Sequence, residues 1–486
     1  MKGNSAELNE SAAPKPEEPT EVSAALPADE ESVLLASSSP ADVGEVELAP
    51  QTVSAPHVAG ARPLFVLVGT LAGGYVLAMA LRMTGGLIQA CLVDPAVLGL
   101  FNSFGLILGY APFLQLGVFN GLNREFPFFI GKGDREHGWQ LAAVAQGWAF
   151  LLSGVICTAL LAVAAWNLFQ GNLPAAAGLA ANAFLAFALF YTNYYLNSTY
   201  RTSGDFAKLA VADVANASVG LAMVALVALI GFYGICLRAC LAAAVGMAIL
   251  YHWRPVRIGP RWNFTHLTHL LKIGLPIFCA GQLYAYWSVL DQTLVLCYAG
   301  RRGLGLYALV LTVAGAVQLL PNALTQVLYP RLVEHFGRTN SRREAVTLVI
   351  KPMLATLLGM VPVVAMGWLL IGPVVSWILP KYVDAVPAIR WSMLVALLAP
   401  LGVLDHAFVL VKKQGMLAVV KGQGLLVAAT AIGIAVYLTT LWLLTRKQVD
   451  LVVFPQAMLV GRATYIAAMY AILLYMFYRG RAGARS

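Results

Sequence analysis

From Pro63 onward, long apolar runs alternate with short polar breaks, and this alternation most narrows what the chain can fold into. Twelve runs stand out, near 63–90, 96–119, 139–166, 178–200, 207–230, 235–252, 271–298, 303–328, 345–370, 385–411, 415–443 and 452–478. Each approaches or exceeds the ~20 residues a helix needs to cross a hydrocarbon core. In that solvent the backbone must satisfy its own hydrogen bonds, which a helix does within one segment. The breaks carry turn chemistry: Gly171-Asn172-Leu173-Pro174, Gly231-Phe232-Tyr233-Gly234, Gly259-Pro260 and Gly372-Pro373. Charged residues make up 11% of the chain, well below the ~25% of soluble domains. The pattern predicts an all-α polytopic membrane protein.

The second half echoes the first. Leu98-Gly99-Leu100-Phe101 recurs as Leu304-Gly305-Leu306-Tyr307, 206 positions later, and Gly131 stands at the same offset from Gly337. Such a duplication in one orientation predicts two pseudo-symmetric six-helix bundles around a central cavity, a ground plan of transporters whose lobes rock about a shared site. The halves are expected over 61–252 and 271–480. A linker over 253–270 would join them, and a basic stub over 481–486 would follow.

Residues 1–60 differ from the rest. They hold eleven acids, from Glu7 to Glu47, and two bases, leaving a body with twelve acids and thirty bases. Rich in Ala, Pro, Ser and Glu, this tail has too little apolar surface to fold alone and is expected to be disordered. It lacks the basic start and apolar core of a signal peptide. The body's bases cluster in alternate loops: Arg124, Lys132 and Arg135; Arg201 and Lys208; Arg254, Arg257, Arg261 and Lys272; Arg331 to Lys351; Lys412, Lys413 and Lys421; then Arg479, Arg481 and Arg485. The opposite loops hold only Arg301, Arg302, Lys381, Arg446 and Lys447. The positive-inside rule puts the basic loops and both termini in the cytosol of a bacterial inner membrane. The positive charge is thereby a topology signal, and no nucleic-acid partner is expected.

No translocated loop exceeds about 20 residues on this reading, which argues against glycan-handling membrane enzymes with extracytoplasmic catalytic loops. No GxxxxGK[ST] is present, so the chain has no ATP-cradling loop of that type. The six cysteines lack metal-ligand spacing, and no cofactor is called for.

Ionisable residues inside spans cost about 2.5–3.5 kcal/mol each at the centre and so need a reason. Arg462 lies near the midplane of the last span, either facing a cavity or paired with an acid. Arg82 and Asp291 lie at similar depth in spans that correspond under the repeat, where Asp291 matches Gly85. They are candidates for a cross-lobe pair that makes and breaks, or for contacts with headgroups and water. Arg238 and Arg390 lie close enough to the outer boundary to snorkel, or could face a substrate. Asp405 and His406 could carry a coupling proton, or be neutralised by Lys412 and Lys413. Tyr191 to Arg201 interleaves rings with amides and hydroxyls, which suits an interfacial aromatic belt or sugar stacking.

Several stretches together resemble bacterial polysaccharide flippases of the O-antigen type. They are Leu275-Pro276, Asp291-Gln292, Gly303 to Ala308, Leu328-Tyr329-Pro330-Arg331-Leu332, and Leu379-Pro380-Lys381-Tyr382 with Ala385-Val386-Pro387. Their first-half counterparts are Asp94-Pro95, Leu98 to Phe101, and Gly131-Lys132-Gly133-Asp134. That family is the oligosaccharide branch of the multidrug/oligosaccharidyl-lipid/polysaccharide exporter superfamily. The resemblance covers residues 63–480 and implies alternating access that carries a polyprenyl-pyrophosphate-linked oligosaccharide between leaflets. It implies a cationic cavity, for which Arg82 and Arg462 are the matching candidates. Membrane lipids and glycan-assembly proteins such as a polymerase would be partners. A drug antiporter of the same superfamily would instead want unpaired acids in the first bundle, where only Asp205 and Asp213 lie in or beside spans 3–6. A non-transporting scaffold for glycan assembly is the third reading.

Overall fold

The computed structural model describes residues 64–319, 321, 342–408, 416–446 and 449–482; the acidic tail and the segment around Gly337 lie outside them. No strand occurs among the described residues. The first half comprises α1 (Leu64–Leu92), α2 (Pro95–Tyr110), α3 (Val118–Lys132), α4 (Arg135–Phe169), α5 (Leu173–Ala188), α6 (Asn197–Ser203), α7 (Phe206–Ala222), α8 (Val224–Ile230) and α9 (Phe232–His252). The second comprises α10 (Phe264–Val317), α11 (Arg342–Ile378), α12 (Val386–Leu397), α13 (Met416–Thr445) and α14 (Val453–Ala482). Short 3-10 turns join α2 to α3 and flank α12.

The breaks fall where the sequence supplies caps. Asp94 accepts a hydrogen bond from Ala96 N (2.9 Å) with Pro95 at the first helical position, and Asn172 does the same for Ala175 N (3.4 Å) before Pro174. Asn263 caps α10 through Thr265 N (2.9 Å) and His266 N (3.2 Å), so the inter-bundle connection is shorter than expected and ends at residue 263.

Eleven segments among the described residues are long and apolar enough to cross a membrane. The last turns of one crossing and the first of the next are fused within α10, which is not one rod. Gly300 has φ 68° and ψ −169°, a conformation open to glycine. In a straight helix Asp291 and Tyr307 would be about 24 Å apart; here the Tyr307 hydroxyl donates to the Asp291 carboxylate at 2.5 Å. The chain reverses at Gly300, which divides one of the eleven segments and gives twelve passes among the described residues.

Two hydrophobic cores organise these passes. One is drawn from residues 111–270, and the other chiefly from residues 287–473 with Ala90, Val93, Leu98, Leu106, Val227 and Ile235 of the first half added. The bundles meet where α2 and α3 run antiparallel to the first arm of α10. Along this seam Gly109 abuts Val289, the Tyr110 and Thr293 hydroxyls lie 2.8 Å apart, Gly117 abuts Gly274, and Gly121 faces the Leu270 carbonyl. Small residues let backbones approach where lipid offers no competing hydrophobic drive.

The aromatic run of the fourth span is neither a belt nor a lumen wall. Residues Leu189–Leu196 form a π-helix, which rotates its rings toward the bundle interior. Tyr195 and Tyr200 are fully buried, the Tyr200 hydroxyl donating to Leu250 O at 2.8 Å and that of Tyr195 to Gln146 Oε1 at 3.4 Å. Both of these phenols find a partner inside the bundle, so their rings serve the core.

Candidate functional site

Arg82, Asp291 and Arg462 all lie about 14–15 Å from the same membrane face, counting 1.5 Å per residue from Leu92, Gly300 and Val453. The tertiary structure gives each a different environment. Arg82 on α1 pairs with Asp213 on α7, both guanidinium nitrogens reaching the two carboxylate oxygens, one of them at 3.3 Å. The cross-lobe pair with Asp291 is not made. In this structure two helices of one bundle supply both charges of the pair.

Asp291 is 2% exposed. The Tyr307 hydroxyl donates to one oxygen at 2.5 Å and the Tyr437 hydroxyl to the other at 2.7 Å, tying both arms of α10 to α13. No cation pairs with it among the described residues. One turn earlier Trp287, fully buried, wedges between α13 and α14. Space for its indole comes from Gly433 and Gly461: a Cβ on the first would lie 3.0 Å from the ring, on the second 2.7 Å.

Arg462 rests on that tryptophan. Its guanidinium carbon lies 4.1 Å from the Tyr284 ring centre and 4.9 Å from that of Trp287, a cation–π seat on two faces. Its buried Nε has no hydrogen-bond partner, and no carboxylate among the described residues forms an ion pair with it. A guanidinium has five N–H donors and suits phosphate oxygens bidentately. The aromatic shelf holds the group while its Nε stays without a protein acceptor. Its Nε is thus left for a ligand, whereas Arg82 pairs with a carboxylate and Arg238 and Arg390 donate to protein oxygens.

Arg238 does not snorkel. Its Nε donates to Gly220 O at 2.5 Å and a terminal nitrogen to Gln89, linking α9 to α7 and α1. Gly85, the repeat equivalent of Asp291, leaves room for it: a Cβ there would sit 2.6 Å from the guanidinium. The first bundle thus holds a cation beside the position where the second holds a carboxylate. Arg390 likewise stays in its own bundle, donating to Trp368 O at 3.2 Å. Asp405 and His406 fall in the 3-10 stretch Ala399–Phe408, their side chains and the neighbouring Lys412 and Lys413 lying outside the described residues.

Sequence reasoning missed two features. A cavity of about 320 Å³ opens between α2 and both arms of α10, with Asn102 and Gln292 as its amides and Gly105 and Ala308 among its walls. A histidine cluster also bridges the bundles at the basic end: the ring centres of His137 on α4 and His266 on α10 lie 5.0 Å apart, and His269 Nε2 is 3.2 Å from Glu125 Oε2 of α3. Burial, with His137 and His269 nearby, lowers the pKa of His266.

The fold matches solved transporters. An inward-facing multidrug resistance MATE family transporter of the MOP superfamily superposes with a TM-score of 0.65 at 17% identity, over 84% of this chain and 95% of the other. An outward-facing structure of such a transporter gives 0.58 at 16%, over 86% and 96%. A MOP superfamily transporter from Pyrococcus furiosus, described as having a binding pocket of reversed polarity, gives 0.56 at 16%, over 86% and 96%. No curated protein sequence matches the chain. Residues 142–387, just over half of the chain, match the family model for polysaccharide biosynthesis proteins, and with the MOP transporter fold around them the chain belongs to that family.

Proposed function

We propose that this protein carries a polyprenyl-diphosphate-linked oligosaccharide from the inner to the outer leaflet of a bacterial cytoplasmic membrane by alternating access. The observation that carries the reading is Arg462: a guanidinium near the midplane, seated on Tyr284 and Trp287, with its Nε unpartnered. A buried cation without an acid is costly in the empty state, and a diphosphate would offset that cost through charge-assisted hydrogen bonds. Membership of the polysaccharide biosynthesis family supports a glycan as the rest of the cargo. The basic loops and both termini face the cytosol in this reading, and glycan-assembly proteins receive the product.

A drug antiporter would need an accessible acid in the first bundle. Asp213 is engaged by Arg82, and Asp205 by Lys208 at 2.9 Å. Asp291 in the second bundle is sealed behind two phenols. These pairings favour an anionic cargo over a cationic one.

The test follows lipid-linked glycans in cells carrying Arg462→Ala as the sole copy. Completed polyprenyl-linked units should accumulate, inaccessible to a membrane-impermeant sugar-modifying enzyme, while the variant inserts at normal level. Normal export by that variant would remove Arg462 from the cargo path. Normal leaflet distribution in cells lacking the protein, with no redundant flippase present, would remove the flippase reading itself.

A further inference from the structure

The eleven residues between the bundles, 253–263, form an extended strap rather than a helix, with Pro255 and Pro260 withholding backbone donors. The strap is fixed to the first bundle. Arg261 N–H donates to Ala143 O of α4 at 3.1 Å, and Gly147 lies beneath the Arg261 carbonyl, where a Cβ would come within 3.0 Å. Val256 and Ile258 turn inward onto the first core.

What points outward is of another kind. Arg257 and Arg261 are exposed and make no ion pair among the described residues. Beside them Trp262 is 60% exposed and Phe264, the first residue of α10, 80%. The strap follows directly on α9, whose apolar membrane-crossing stretch ends at His252, and this puts it near the depth of the headgroups. Exposed aromatic rings at that depth sit favourably among glycerol backbones and upper acyl chains. Each arginine near an anionic lipid surface adds attraction, and its guanidinium fits phosphate oxygens.

We propose that the strap is a docking surface for anionic phospholipids of the leaflet it faces. Arg257 and Arg261 hold headgroup phosphates, and Trp262 and Phe264 seat in the lipid beneath. The covalent connection between the two bundles is thereby anchored to the bilayer, and lobe motion pivots about a lipid-held point. The acidic stretch of residues 7–47 is a rival occupant for the arginines, but it has no aromatic residue and gives no reason for the exposed rings.

Hydrogen–deuterium exchange of the full chain in nanodiscs tests this, and it needs no cargo, so its result stands apart from that of the flippase test. Backbone amides of 256–262 should exchange several-fold more slowly in discs containing phosphatidylglycerol than in pure phosphatidylcholine. The difference should vanish in Arg257→Gln/Arg261→Gln and shrink in Trp262→Ala/Phe264→Ala. Equal exchange in both lipids overturns the proposal, as does a phosphatidylglycerol effect that survives the double arginine substitution. Protection that is the same in both lipids and lost on deleting residues 1–60 assigns the arginines to the tail and also overturns it.

Discussion

Gly99 and Gly305, equivalent positions of the internal repeat, touch each other. A Cβ on Gly99 would lie 2.9 Å from Gly305 N, and one on Gly305 would lie 3.0 Å from Gly99 N. The flanking contacts are reciprocal as well: Gly99 packs on the Arg301 carbonyl, Gly305 on that of Pro95, and these two residues are again 206 apart. Reciprocity of this kind is what a twofold axis demands. The pseudo-symmetry axis therefore passes between these two glycines, at the end of the molecule that carries Gly300.

Because backbone meets backbone there, no rotamer can absorb a methyl group. Gly305→Ala should prise α2 from α10 at this end and cut glycan export by more than tenfold with membrane insertion intact. Maleimide labelling of an Asn102→Cys reporter, in a background without the native cysteines, should rise in parallel. Unchanged labelling would show that the contact does not hold this end closed.

Arg462 offers two properties that substitution can separate. Lysine keeps the charge but loses the planar stack and the bidentate fork. Export should fall to roughly a tenth in Arg462→Lys and to background in Arg462→Ala, a graded loss of about 1.4 kcal/mol and more. Equal export by the two variants would mean that the fork is irrelevant.

The Arg82–Asp213 pair should behave as a unit. Removing one partner leaves a lone charge within the membrane, so Arg82→Gln and Asp213→Asn should each lower the thermal midpoint in detergent. The double variant should recover most of the loss, giving a coupling energy of about 1–3 kcal/mol in a double-mutant cycle. Additive losses would mean that the two side chains act independently.

Asp291 depends on both phenols. Tyr307→Phe or Tyr437→Phe each removes one of its two donors, at a cost of about 1–3 kcal/mol. Asp291→Asn, which keeps the shape and removes the charge, should be milder than either. Thermal unfolding of the three variants decides this, and the reverse ranking would show that the ionised carboxylate is itself stabilising.

The histidine cluster gives the basic end a pH dependence. His266 has its pKa lowered in the folded state, so the unfolded chain binds its proton at higher pH. The contribution to stability is present above the ordinary histidine value and is lost as pH falls below it. His137, His269, Glu125 and Arg124 face the same seam, His269 Nε2 lying 3.2 Å from Glu125 Oε2. The thermal midpoint should decline between pH 7.5 and 5.5, and His266→Gln should flatten that decline. A parallel profile in the variant would assign the effect elsewhere.

Hydropathy and caps are local properties, and they placed the passes well. The break near residue 300 was legible as Gly300-Arg301-Arg302 between two apolar runs, and the depths of Arg82, Asp291 and Arg462 followed from counting. The breaks were visible at Asp94-Pro95 and Gly171-Asn172, but the start of α10 at Asn263 was not, and the linker was expected to run to 270. The run from Tyr191 was legible as amphipathic but not as core, because a π-turn shifts which face its rings occupy.

Partners were not legible. Depth says that Arg82 and Asp291 could meet; which helix lies beside which decides that Arg82 finds Asp213 and Asp291 finds Tyr307 and Tyr437. The repeat matched Gly85 to Asp291, but only packing reveals that Gly85 makes room for Arg238. The sequence by itself determined twelve passes, the breaks between them, the duplication and the charges that must be explained. The tertiary structure decided which of those charges are satisfied, because a charge in a low-dielectric medium is settled by its neighbours within a few ångströms, and those come from helices distant along the chain.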